Sequence, residues 1–70
     1  MNVVNIWEYA NERPKIKLVT TNGERYEGDV YMVFDAEEAD DEEDILALST
    51  GDGRIRHFYP SQIAQIERCD

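Results

Sequence analysis

Apolar and polar positions alternate from Lys15 to Thr20, with Ile16 and Leu18 set against Lys15 and Lys17. A period of two belongs to a half-buried strand. Asn22-Gly23 follows, the pair that supplies the two positive-φ positions of a type I′ hairpin turn. A second strand is predicted over Arg25 to Phe34. Tyr26, Gly28, Val30, Met32 and Phe34 share one face, and Arg25, Glu27, Asp29, Tyr31 and Val33 the other. Gly28 stands in mid-strand on the apolar face, where it weakens a flat strand but lets a bent one turn a corner. Tyr31 and Val33 on the outer face point to a covered surface.

Further along, Ile45-Ala47-Leu48 and the intervening Leu46 are apolar on both faces, the mark of a strand buried from two sides. Gly51-Asp52-Gly53 turns the chain into a fourth strand, Arg54 to Tyr59. Pro60-Ser61-Gln62 makes a tight turn, and Ile63 to Ile66 closes as a fifth strand before a polar tail. At the other end, residues 2–12 read as a short amphipathic helix. Asn5 and Glu8 have N-terminal capping spacing, and Val3, Ile6, Trp7 and Ala10 share a face. Pro14 ends it, and Trp7 is expected to lid the open end of a small, strongly bent five-stranded β-barrel.

Seventy residues, 41% of them hydrophobic, make a single domain (1–70) with little core to spare. Chains this small often gain stability from partners. Cys69, the single cysteine, permits no internal disulfide and reads as a frayed, reduced, exposed thiol. The first residues show neither a basic leader region nor a long apolar run, so no membrane segment is expected and a cytoplasmic setting fits. The net charge of −9 comes from 16 acidic and 7 basic residues, and eight of the acids lie between Asp35 and Asp44. Outside that run the chain is nearly neutral. Such a field opposes phosphate backbones.

A short helix, five bent strands, Gly23 and Gly28 with four residues between them, and a closing single turn resemble the Sm-like family, a version of the SH3-like small barrel. Ile16, Leu18 and Thr20, then Gly23, Gly28 and Val30, carry the resemblance; Ile63 and Ile66 match the closing strand more loosely. It implies an all-β barrel that assembles into rings and binds RNA. The RNA pocket of that family uses an aspartate closing the second strand, an asparagine four residues later, and a basic pair on the fourth strand. Here Phe34 holds the aspartate position and Asp35 comes one residue late, on the opposite face unless a bulge resets the register. Ala39 stands in place of the asparagine. Arg56-His57 echoes the basic pair, but Phe58-Tyr59-Pro60-Ser61 intervenes before the last strand. The resemblance therefore implies the barrel without its nucleobase pocket.

Candidate chemistry is sparse. The acidic run 36–44 lacks the sixth-position glycine of a calcium loop, which leaves a solvated, mobile loop, a docking segment for a basic partner or a mimic of nucleic-acid charge. His57 sits beside Ile55 and Tyr59 and reads as a half-buried core or interface histidine. Arg54 and Arg56, with Lys15 and Lys17, could line a phosphate-binding strip next to Phe58 and Tyr59. Pairing of these cations with the acidic loop, within the chain or across a protomer contact, is the plainer expectation. No glycine-rich phosphate loop, nucleophile elbow or paired-cysteine spacing is present, so no enzyme, cofactor, metal site or small-molecule substrate is expected. The expected function is a non-enzymatic interaction or assembly module. It would form a homo-oligomer, or bind another protein, through strand edges at Arg56, Phe58, Tyr59, Ile63 and Ile66. The alternatives are an RNA-binding protein with an altered pocket contacted by Arg54 and Arg56, and an acidic-loop adaptor for a basic protein.

Overall fold

The computed structural model describes residues 4–69; the expectations for Asn2 and Val3 lie outside them. Five antiparallel strands form one sheet: β1 (Lys15–Thr20), β2 (Arg25–Phe34), β3 (Ile45–Ser49), β4 (Ile55–Phe58) and β5 (Ile63–Arg68), in the order β4-β3-β2-β1-β5. β1 and β2 have the expected bounds. β4 is shorter than expected and β5 longer, because pairing with β1 continues out to Arg68.

The N-terminal helix is a single 3-10 turn, Ile6–Tyr9, rather than a helix over residues 2–12. Asn5 caps it as expected, its side chain accepting from the Trp7 N–H. Ile6 and Tyr9 enter the core, but Trp7 is 44% exposed and does not act as a lid. Four residues give one buried stripe, and Trp7 falls outside it.

The hairpin also differs from expectation. Gly23 has φ +88°, whereas Asn22 is not left-handed, so the turn is not type I′. The Thr20 carbonyl accepts from Gly23 N–H, and Thr20 N–H donates to the Glu24 carbonyl. That is a three-residue loop, a tight turn followed by a left-handed glycine. Thr20 Oγ1 supplies the preference by accepting from Glu24 N–H at 3.0 Å.

A bulge reorders the second half of β2. Val30 pairs with Leu48 and Met32 with Ala47, so Tyr31 and Met32 together oppose one residue. Beyond that point the faces exchange. Val33 enters the core at 9% exposure, while Met32, expected inside, is 42% exposed. Tyr31 is outside, but the expectation that Val33 joins it is overturned by the one-residue slip.

The sheet is strongly coiled. Its outermost strands, β4 and β5, are joined by Tyr59 and a 3-10 turn, Pro60–Gln62. With two extended steps, a 3-10 turn and one further step, the link from Phe58 to Ile63 reaches about 15 Å. Four flat inter-strand spacings would need ~19 Å. The edges are thus drawn toward one another, and Phe58 on β4 packs on Tyr26 near the start of β2 with ring centroids 5.0 Å apart. Gly28 permits this coil. A Cβ there would collide with the Ser49 carbonyl oxygen and lie 2.8 Å from the Ser49 carbonyl carbon and 3.0 Å from Thr50 Cα. Leu46 and Leu48 of β3 are fully buried against Ile16, Leu18 and Val30, and the expected two-sided burial of β3 is observed. No ladder joins β4 to β5 among the described residues.

Candidate functional site

The strand order leaves β4 and β5 each bonded on one side only. Their inner faces are committed to the core. Phe58 and Ile63 are 7% and 5% exposed, and Ile66 is half-buried against the same cluster. Arg56 also turns inward, its guanidinium 5.4 Å from the centre of the Tyr26 ring. Of the residues expected at a strand edge, only Tyr59 reaches a different partner. What β4 and β5 present sideways is therefore main chain. An open groove separates β4 from the 20–24 hairpin, lined by Asn22, Tyr26, Arg56, His57 and Gln62, so the seam of the coil is uncovered. On β5, Val19 pairs with Gln65 and Thr20 with Ile63, which leaves Ala64 outside the β1 ladder in a second bulge.

Arg54 is exposed in the turn before β4 rather than within the strand. Neither Arg54 nor Arg56 makes an ion pair among the described residues; Lys15 pairs with Glu27 at 3.6 Å. Within the chain, among the described residues, these cations do not pair with the acidic loop, whose anchors are instead Trp7, Tyr59 and Ser61. His57 is exposed, not half-buried, because odd positions of β4 point away from the core; its ring meets Phe34 at 6.2 Å. Cys69 has an exposed thiol as expected, but its N–H bonds the Lys15 carbonyl and prolongs the β1–β5 ladder.

The acidic segment is folded, not merely solvated. Ala39 and Asp41 N–H groups donate to the Asp35 and Ala36 carbonyls, and Asp44 Oδ1 accepts from Ala36 N–H, pinning the two stems together. Asp44 Oδ2 accepts from Trp7 Nε1 at 2.8 Å. On the other flank, Asp41 accepts from the Tyr59 hydroxyl at 2.6 Å, and Glu43 accepts from Ser61 Oγ at 2.6 Å and from Ser61 N–H. The hydrogen bond from Trp7, then that from Ala36, holds the Asp44 carboxyl below the usual carboxylate range. Asp41 is lowered by the Tyr59 hydroxyl and the Glu42 N–H, and Asp41 in turn pushes the Tyr59 phenol up. All these donors are neutral. Sequence reasoning missed Trp7, Tyr59 and Ser61 in this role because it sought charge partners. The usable signal is topological: the β2–β3 loop, the N-terminal turn and the β4–β5 connector share one end of the coil.

The Tyr31 bulge also supplies the register reset on which the place of Asp35 depended. Its carboxylate is spent on capping Glu37 N–H, and Ala39 still stands at the asparagine position.

The chain matches no family model, no curated protein and no solved structure. Among the described residues no group of His, Cys, Asp and Glu is arranged to hold a metal ion, and no helix is long and apolar enough to cross a membrane.

Proposed function

We propose that this chain is a non-enzymatic assembly module, an Sm-like small barrel that self-associates by pairing its free strand edges. The observation that carries the proposal is the order β4-β3-β2-β1-β5 with both outer strands unpaired on one side and brought near one another by a short connector. Unpaired N–H and C=O rows are templates for another strand. Donating β5 of one copy to β4 of the next satisfies both rows and leaves a further pair of edges to continue the association. The resemblance to Sm-like rings supports this reading. Two departures from the RNA pocket remain, at Ala39 and in the connector, and the field of a −9 chain opposes phosphate, so the RNA reading is the weaker one.

Light scattering on eluting protein over a wide concentration range tests the proposal. The wild type is expected to exceed the monomer mass. Ala64→Pro, placed at the bulge where proline is tolerated, is expected to stay folded by circular dichroism and shift toward monomer. A wild type that remains monomeric at every concentration overturns it.

A further inference from the structure

The face of the sheet opposite the core carries a second surface that edge pairing does not use. Of the four large exposed hydrophobics among the described residues, Trp7, Tyr31, Met32 and Ile55, three lie on this face of β2 and β4. The bulge sets Tyr31 and Met32 together opposite Ala47, Ala47 pairs with His57 on the far side, and Ile55 pairs with Ser49 one row on. Ala47 and Ile45 form a floor that is almost fully buried although it faces away from the core. Phe34 and His57 meet edge to face across β3 above these two residues, so the apolar surface left open is that of Tyr31, Met32 and Ile55. Three large apolar side chains grouped on one face of a small domain are the feature from which an interaction surface is argued.

Charge selects its occupant. At the end of the face where Phe34 and Ile45 enter, the acidic loop is held in place by Trp7, Tyr59 and Ser61 through Asp44, Asp41 and Glu43. That leaves Glu37, Glu38, Asp40 and Glu42 exposed and without a side-chain partner among the described residues. A second copy would bring another −9 against this end of the face. We infer that the outer face of β2, β3 and β4 docks a basic segment of a different protein, with apolar side chains against the exposed Tyr31, Met32 and Ile55 and flanking lysines or arginines against the loop. The loop's fixed position lowers the cost of ordering on binding. The inference does not rest on edge pairing.

The test uses the full chain and three synthetic peptides of equal length: alternating lysine and leucine, alternating lysine and serine, and alternating serine and leucine. Calorimetric titration is expected to show binding of the lysine–leucine peptide, weakening as salt rises, with the other two weaker by at least about tenfold. Two sets of substitutions are each expected to weaken it by about tenfold or more, a loss that reports one lost class of contact. The first is Met32→Ser with Ile55→Ser; the second is Glu37→Gln, Glu38→Gln, Asp40→Asn and Glu42→Gln. The second set lies wholly in an exposed loop, so it stays informative if the first impairs folding. No binding, equal binding of the lysine–serine peptide, or unchanged affinity in either variant overturns the inference. So does loss of self-association in the Met32, Ile55 variant, which would assign the face to a second copy; monomeric behaviour of Ala64→Pro with peptide binding intact would leave it standing.

Discussion

The Trp7 indole donates to the Asp44 carboxylate at 2.8 Å across 37 residues of sequence, fastening the N-terminal turn to the acidic loop. Because this bond favours the ionised carboxylate, Asp44 has a folded pKa below its unfolded value, which lies near 3.8. The stability it contributes is complete above that value and is lost as pH falls through the folded pKa. Asp41, lowered by Tyr59, behaves alike. Thermal unfolding is therefore expected to shift downward below about pH 4. Trp7 fluorescence should change in the same window, and the change should vanish in Asp44→Asn. A fluorescence titration unaltered by Asp44→Asn contradicts the bond.

The exchange of faces after Val30 gives opposite expectations for adjacent residues. Val33→Ala should cost about 2 kcal/mol, as expected for emptying a buried valine site. Met32→Ser should fall within ~0.5 kcal/mol of wild type, as for an exposed position. Urea unfolding of both variants distinguishes this register from the unbroken alternation, which predicts the reverse order.

Gly28 carries the coil through close approach of the Ser49 and Thr50 main chain rather than through a left-handed dihedral angle. Gly28→Ala must push backbone aside and should destabilise by about 1–3 kcal/mol, the usual range for overpacking. A neutral result in urea unfolding would mean that β2 and the end of β3 do not meet there.

These residues also show what the sequence made legible. Strict alternation placed β1, and the two-sided apolarity of β3 correctly announced a doubly covered strand. Gly28, alone in an apolar face, reads as a bend, and its close approach to Ser49 supplies the reason. A bulge leaves no local signature: Tyr31 is an ordinary strand residue, and only pairing with β3 reveals that it is supernumerary. Asn22-Gly23 gave the hairpin but not its type, since Thr20 Oγ1 stabilises a three-residue loop that composition alone does not distinguish. The anchors of the acidic loop were hidden because hydrogen bonds from neutral donors carry no charge pattern.

Self-association should strengthen with salt. Asp41 and Glu43 hold the acidic loop against the β4–β5 connector, so in the proposed assembly each copy brings like charge beside the edges of β4 and β5. Raising ionic strength from ~0.01 M to ~1 M shortens the screening length from ~30 Å to ~3 Å. Sedimentation velocity should then show a larger assembled fraction at high salt. Dissociation by salt would mean that ion pairs, not main-chain pairing, hold the copies together.

Amide hydrogen exchange resolved by residue, measured at low and high protein concentration, asks directly whether the edges pair. The outward N–H groups of 55–58 and 63–68 are expected to exchange freely when dilute and to become protected when concentrated, while those of β1 and β2 stay unchanged. Exchange at β4 and β5 that is independent of concentration would contradict assembly through these strands.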